Sequence, residues 1–196
     1  MNPTRGRSAE PGPDTQREQR LLQDRLTRLA RVTSELVMAD TVEAVTKTVV
    51  SHASKAVGAT MSTLTVRSGD SDSVRLVGMQ GGRVGEEQTW ATYPLATPTP
   101  ATDAIRTGER VLATGAHAIA ARYPHIPEVA RGERSIVSLP LSIGSRVMGA
   151  IGLSFPGLRD LDAAELDFLD ILADTCAQAL DRIAAREVAA LQTAVK

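Results

Sequence analysis

Leu22, Leu26, Leu29, Thr33 and Leu36 recur at alternating intervals of four and three, with Arg, Glu and Asp filling the positions between them. That rhythm predicts a helix over residues 17–40 with a seam down one side. Ahead of it, residues 1–16 hold three prolines and two glycines and almost no apolar side chains. Such a segment cannot bury enough surface to offset its ordering entropy, so it reads as a disordered tail. Asp40 stands three residues before Glu43, a capping-box spacing that opens a second helix. Val42, Val45, Val49 and Ala53 form its apolar face, and Gly58 suits the left-handed position at its end.

After Gly58 the hydrophobic period switches from helical to alternating. Residues 59–67 and 74–79 read as strands joined by a turn around Ser68-Gly69-Asp70, and a short strand follows near residues 89–95. Thr99 caps a short helix with Pro100 at its first position and Gly108 just past its end. Residues 110–113 form a short strand and residues 116–122 a small helix. Tyr123-Pro124-His125-Ile126-Pro127 must be irregular because of its two prolines. Val137, Leu139, Leu141 and Ile143 then alternate up to Gly144-Ser145, and Val147, Gly149, Ile151, Leu153 and Phe155 alternate back, which is a hairpin with one buried face. Asp162 and Glu165 form a second capping-box pair. They open a long helix to about residue 190 with a seam of Leu166, Leu169, Ala173, Cys176, Leu180 and Ile183. Helices at both ends of a run of antiparallel strands, without parallel βαβ alternation, predict an α+β fold with helices on one sheet face.

Length and composition narrow the function. A chain of 196 residues and 20.8 kDa suits one domain. A net charge of -1 leaves no basic surplus to neutralise a run of phosphates, so nucleic-acid binding is not expected. The single cysteine, Cys176, excludes an intramolecular disulfide and a cysteine-rich zinc site. No apolar stretch is long enough to span a bilayer, and Arg5 and Arg7 are not followed by the apolar run of a signal peptide. A soluble, cytoplasmic protein is the expectation.

The motifs that could carry chemistry mostly have plainer readings. Gly81-Gly82-Arg83-Val84-Gly85 lacks a following Lys-Ser/Thr and is read as a flexible connection that opens no helix. In the run Asp160, Asp162, Glu165, Asp167, Asp170 and Asp174, two members are explained by capping. Asp167, Asp170 and Asp174 share an outward stripe, so no metal site is assigned. No serine sits in a strand-to-helix elbow flanked by glycines, so a hydrolase nucleophile is unsupported. His52 lies beside the apolar face of the second helix, where a half-buried, hydrogen-bonded histidine is ordinary.

Several short motifs nevertheless occur in a familiar order. Leu139-Pro140-Leu141, the turn at Gly144, Val147-Met148-Gly149 and the alternating Ile151, Leu153 and Phe155 resemble the C-terminal hairpin of GAF domains. Ile105-Arg106-Thr107-Gly108-Glu109-Arg110-Val111 resembles the helix-to-strand corner in the middle of that family. Residues 29–36 and 176–182 resemble actinobacterial-type GAF modules that stand before SpoIIE-like serine phosphatase or histidine kinase domains. The likeness spans about residues 21–186. It implies a central antiparallel sheet of about six strands with helices on one face. It divides the chain into a tail (1–16), a signalling and dimerisation helix (17–40), a GAF core (41–160), a C-terminal helix (161–190) and a last segment (191–196) that is either a tail or the entry to an output domain.

In that family the face opposite the helices closes over a small-molecule pocket. The resemblance therefore implies a roof over residues 90–132 and makes Trp90, Tyr93, Tyr123, Arg134 and Ser138 the candidate ligand contacts. It implies a homodimer through the terminal helices, with Leu22, Leu26, Leu29, Leu36, Leu169, Cys176, Leu180 and Ile183 at the interface. His117 and His125 fall in the roof, where a haem-binding member would use an axial histidine, but nothing pairs them with another ligand, so the cofactor stays unknown. Members that reduce free methionine sulfoxide need several cysteines, and bilin attachment needs one in the pocket segment; a lone Cys176 in a helical seam supplies neither. The Asn-Lys…Asp-Glu signature of cyclic-nucleotide-binding members is missing as well. The reading is a bacterial, non-catalytic sensory module in signal transduction, binding an unidentified small molecule or relaying through dimerisation to a phosphatase or kinase output. The alternatives are a ligand-free scaffold and the regulatory part of such an enzyme.

Overall fold

The computed structural model describes residues 12–69, 72–126 and 132–194. Helix α1 runs Pro13–Met38 and begins earlier than the seam predicts, because Pro13 falls in its first turn, where a missing N–H costs nothing. Residues 13–16 are thus helical, Gly12 precedes them as an extended cap, and residues 1–11 of the expected tail lie outside the described residues. Helix α2 (Val42–Lys47) is capped by Thr41, whose hydroxyl accepts from the Ala44 N–H at 3.1 Å. Asp40 therefore does not cap it, since the extended residue immediately before the helix takes that role. The helix widens into a π-helical turn (Thr48–Ala53) and closes as α3 (Ser54–Val57) on Gly58, at φ 75°. In the widened turn the Val50 carbonyl accepts from the hydroxyls of Ser54 and Ser62, each at 2.7 Å, which ties the helix to the first strand.

Six strands follow: β1 (Met61–Arg67), β2 (Ser73–Gln80), β3 (Thr92–Pro94), β4 (Val111–Thr114), β5 (Arg134–Ile143) and β6 (Arg146–Pro156). They form one sheet in the order β3-β2-β1-β6-β5-β4, antiparallel at every junction. Helix α7 (Ala163–Ala194) opens with the expected reciprocal cap. The Glu165 N–H donates to Asp162 at 2.8 Å and the Asp162 N–H to Glu165 at 3.1 Å. The helix continues through residues 191–194, so that part of the expected tail is helical too.

The sheet is one residue thick, and its strands sort their side chains by parity. Leu64, Val137, Leu139, Ile151, Leu153 and Phe155 face one way and pack with Val32 and Leu36 of α1, Val45 and Val49 of the α2 region, and Leu169, Leu172 and Cys176 of α7. This core corrects the expected dimer seam. Leu36, Leu169, Cys176 and Ile183 are buried within their own chain, and Leu29 and Leu180 are half-buried against the same cluster. A helix seam records only that one side is apolar; here the chain's own sheet takes most of it. Leu22 and Leu26, at 58% and 56% exposure, lie beyond the core's reach. So does the end of α7 from Ala184 onward, which is exposed throughout its described length.

The opposite sheet face carries three short helices: α4 (Glu86–Thr89), α5 (Pro100–Thr107) and α6 (Ala116–Arg122). The glycine-rich segment does lead into a helix after all, but one of four residues. Ala104, Ile105, Ile119 and Tyr123 pack under these helices with Val74, Val111 and Ala150 of the sheet as a second, smaller core.

Candidate functional site

Between the sheet and these short helices lies a cavity of about 110 Å3. Strand parity builds its floor. Met61, Thr63 and Thr65 come from β1, Arg134, Ile136 and Ser138 from β5, and Gly152 and Ser154 from β6, with Leu153 between them also touching the cavity. These residues step by two along their strands, so Thr63, Ile136, Ser138 and Gly152 alternate with Leu64, Val137, Leu139, Ile151 and Leu153 of the helix-side core. A Cβ on Gly152 would come within 2.5 Å of the Thr63 hydroxyl, so glycine leaves room for that side chain. Leu76 and Met79 of β2, Trp90 and Tyr93 form one side, with Glu86 of α4 also in the lining. Pro100 and Ala101 of α5 and Ile126 close another.

The roof is held by a compact hydroxyl network. Thr99 and Thr102 cap each other reciprocally, at 3.0 and 3.1 Å, and the Thr102 hydroxyl lies 2.5 Å from the Thr97 carbonyl. Trp90 and Tyr93 meet edge to face, with ring centres 5.1 Å apart. Burial pushes the Tyr93 phenol's pKa up, partly opposed by the neighbouring hydroxyls of Thr65 and Thr99. Arg134, only 4% exposed, brings a guanidinium into this wall.

Four of the five expected ligand contacts, Trp90, Tyr93, Arg134 and Ser138, therefore line one cavity. Tyr123 does not. It is fully buried in the smaller core, and its phenol donates to Asp103 at 2.9 Å, joining α6 to α5. It holds the roof up from behind. His117 and His125 are exposed and absent from the lining, which removes the geometric basis for either as an axial haem ligand. His52 is part-buried and bonds Glu35 of α1 through Nδ1. Cys176 sits on the helix side of the sheet, where burial pushes its thiol up to about 12. Among the described residues no cluster of His, Cys, Asp or Glu could hold a metal ion, and no helix is long and apolar enough to cross a membrane. The sequence reading missed Thr63, Thr65 and Ser154, whose only signal was the polar parity of strands whose other parity is core, and it missed Leu76 and Thr99, which carried no such signal.

A single antiparallel sheet carries the terminal helices on one face and a roofed cavity on the other, the α+β architecture expected from the sequence. The GAF domain family model matches residues 39–181, and the chain belongs to that family. Among solved structures it is similar to the GAF domain of a phosphoenolpyruvate-protein phosphotransferase from Coxiella burnetii. That match has a TM-score of 0.71 at 18% identity and covers 85% of this chain and 98% of that one. The corresponding Acinetobacter domain gives 0.67 at 16% identity, covering 83% and 96%. The free methionine-R-sulfoxide reductase of Neisseria meningitidis, solved with its substrate, also gives 0.67 at 16%, covering 83% and 91%. At these identities the likeness is one of fold. A sequence comparison with curated proteins found no match.

Proposed function

We propose that this chain is a non-catalytic sensory module in signal transduction, one that converts occupancy of the cavity into a change in how α1 and α7 pair with a second copy of the chain. The observation that carries the reading is the sheet's thickness. Thr63 and Ser138 line the cavity while their neighbours Leu64, Val137 and Leu139 touch the helix-side core, so a shift of the floor is felt one residue away under α1 and α7. Leu22, Leu26, Val188 and Leu191 are exposed on the parts of those helices that the core does not cover, which supports a second copy as their partner. A serine phosphatase or histidine kinase is the proposed recipient of the signal. Sulfoxide reduction is disfavoured because the single thiol is on the far side of the sheet from the cavity.

Native mass spectrometry of the purified full chain tests this. A dimer carrying a discrete extra mass supports the sensor, and bare monomer at tens of micromolar overturns the relay. A dimer of bare chains that no small molecule perturbs favours the second reading, a scaffold with an unused cavity.

A further inference from the structure

We propose that the cavity takes a small uncharged alcohol or phenol with a compact apolar body, its hydroxyl seated over Gly152 between Thr63 and Ser138. This rests on the sensory reading and names the chemical class of its ligand.

The sheet register builds that seat. Gly152 of β6 is the direct partner of Thr63 in β1 on one side and of Ser138 in β5 on the other. All three line the cavity. The Thr63 hydroxyl leans over the glycine, since a Cβ there would lie 2.5 Å from it. The Ser138 hydroxyl turns the same way, 3.5 Å from the carbonyl of Ile151, the residue before Gly152. Two hydroxyls thus converge from opposite sides on a floor position that carries no side chain. A ligand hydroxyl placed there can accept from one and donate to the other, because each of the three groups is both donor and acceptor. The next row of the floor has no such pair: Ser154 stands between Met61 and Ile136.

The charged side chains of the lining are already engaged by the protein. Glu86 accepts from the Arg83 N–H at 2.8 Å, and Arg134 has a partner within the chain. An ionic ligand would therefore give up its water without a counter-ion held ready for it, which is costly in an apolar site. Size and the rest of the wall set the body of the ligand. About 110 Å3 is somewhat smaller than a cavity of ~150 Å3 that admits benzene, so nucleotides and tetrapyrroles are too large for this shape. Leu76, Pro100, Ile126 and Ile136 are apolar, and the Trp90–Tyr93 pair offers an aromatic edge. A single ring with one hydroxyl matches both the wall and the seat.

The test is isothermal titration of the full chain at neutral pH with phenol, cyclohexanol, toluene, benzoate and cyclohexylammonium. Phenol or cyclohexanol is expected to bind about tenfold or more tightly than either ion. The better of the two should exceed toluene by about threefold or more, the worth of a net hydrogen bond. Thr63→Val, which keeps the shape and loses the hydroxyl, should remove that advantage and leave toluene within about twofold. Ser138→Ala should act in the same direction, and Leu76→Trp, which fills the cavity, should abolish binding of every probe. Toluene binding as tightly as the alcohols, or alcohol binding indifferent to both hydroxyl variants, would overturn the assignment. So would binding that survives Leu76→Trp, which would put the site elsewhere. An ion binding more tightly than the neutral probes would overturn the uncharged class and leave the sensory pocket standing. If no probe binds, the assignment falls, and the sensory reading is decided separately by whether the native mass spectrum carries a discrete extra mass.

Discussion

Asp103 accepts from the Tyr123 phenol at 2.9 Å and from Arg122 at 3.0 Å, and pairs with Arg106, so one carboxylate joins α5 to α6 above the cavity. Burial pushes its pKa up, but the Tyr123 hydrogen bond and the two arginines outweigh burial and leave it below the ordinary value. A carboxyl lowered in the folded state contributes stability in full above its unfolded value, and loses it as pH falls through the folded one. Asp103→Asn should therefore cost about 1.5–3 kcal/mol at pH 7, the range for hydrogen bonds to charged groups. In thermal melts the gap between variant and parent should close below the ordinary value of 3.8. A gap that stayed constant down to pH 3 would mean that the charge contributes nothing. Cys176 makes a second residue-scale case. With its thiol pushed up to about 12 and no exposed surface, it should not react with a disulfide reagent at pH 8 until the protein unfolds. Labelling of the native chain within minutes would show that the α7 core opens locally.

At the scale of elements, α1 is two helices in one. Leu36 and Val32 are buried against the sheet-side core, whereas Leu22 and Leu26, one to two heptads earlier in the same rhythm, are exposed. Leu22→Asp with Leu26→Asp should shift a sedimentation equilibrium from dimer towards monomer and leave the melting temperature nearly unchanged, because exposed positions alter stability by about 0.5 kcal/mol or less. Leu172→Ala in the α7 core should instead cost about 2–5 kcal/mol in denaturant titrations. Periodicity could not make this separation, since it marks an apolar side without saying what covers it. The β5–β6 hairpin was legible for the opposite reason. Its apolar residues alternate up to the Gly144 turn and back, and β5 and β6 pair antiparallel across it. The cavity was half legible. Trp90, Tyr93, Arg134 and Ser138 stood out by chemistry, but Thr63, Thr65 and Ser154 look like solvent-facing strand positions until α4 and α5 roof them. Tyr123 was misplaced because it ends a short helix just before Pro124, where no period continues from which to read a direction.

Across the whole molecule one polar side chain ties the two terminal helices together beyond the apolar core they share. Helix α1 has no basic residue in its last turn, and Arg182 of α7 supplies the missing cation. Its Nη2 reaches the carbonyls of Leu36 at 3.4 Å, Val37 at 3.0 Å and Ala39 at 2.8 Å. A cation at a helix C-terminus is worth up to ~2 kcal/mol when partly buried. Arg146, at the β5–β6 turn, pairs with Asp181 next door, so this stretch of α7 touches α1 on one side and the sheet on the other. Floor, α7 and the end of α1 thus form a short mechanical chain, and Arg182 is its last link. Arg182→Ala should speed amide exchange in residues 36–45 by about 5–30-fold, the factor that one to two kcal/mol implies. Exchange in β1, β5 and β6 should stay within twofold of the parent. An equal acceleration everywhere would reduce Arg182 to a general stabiliser. Unchanged exchange in residues 36–45 would mean that α1 docks without α7, and the relay would then need another route from the sheet to that helix.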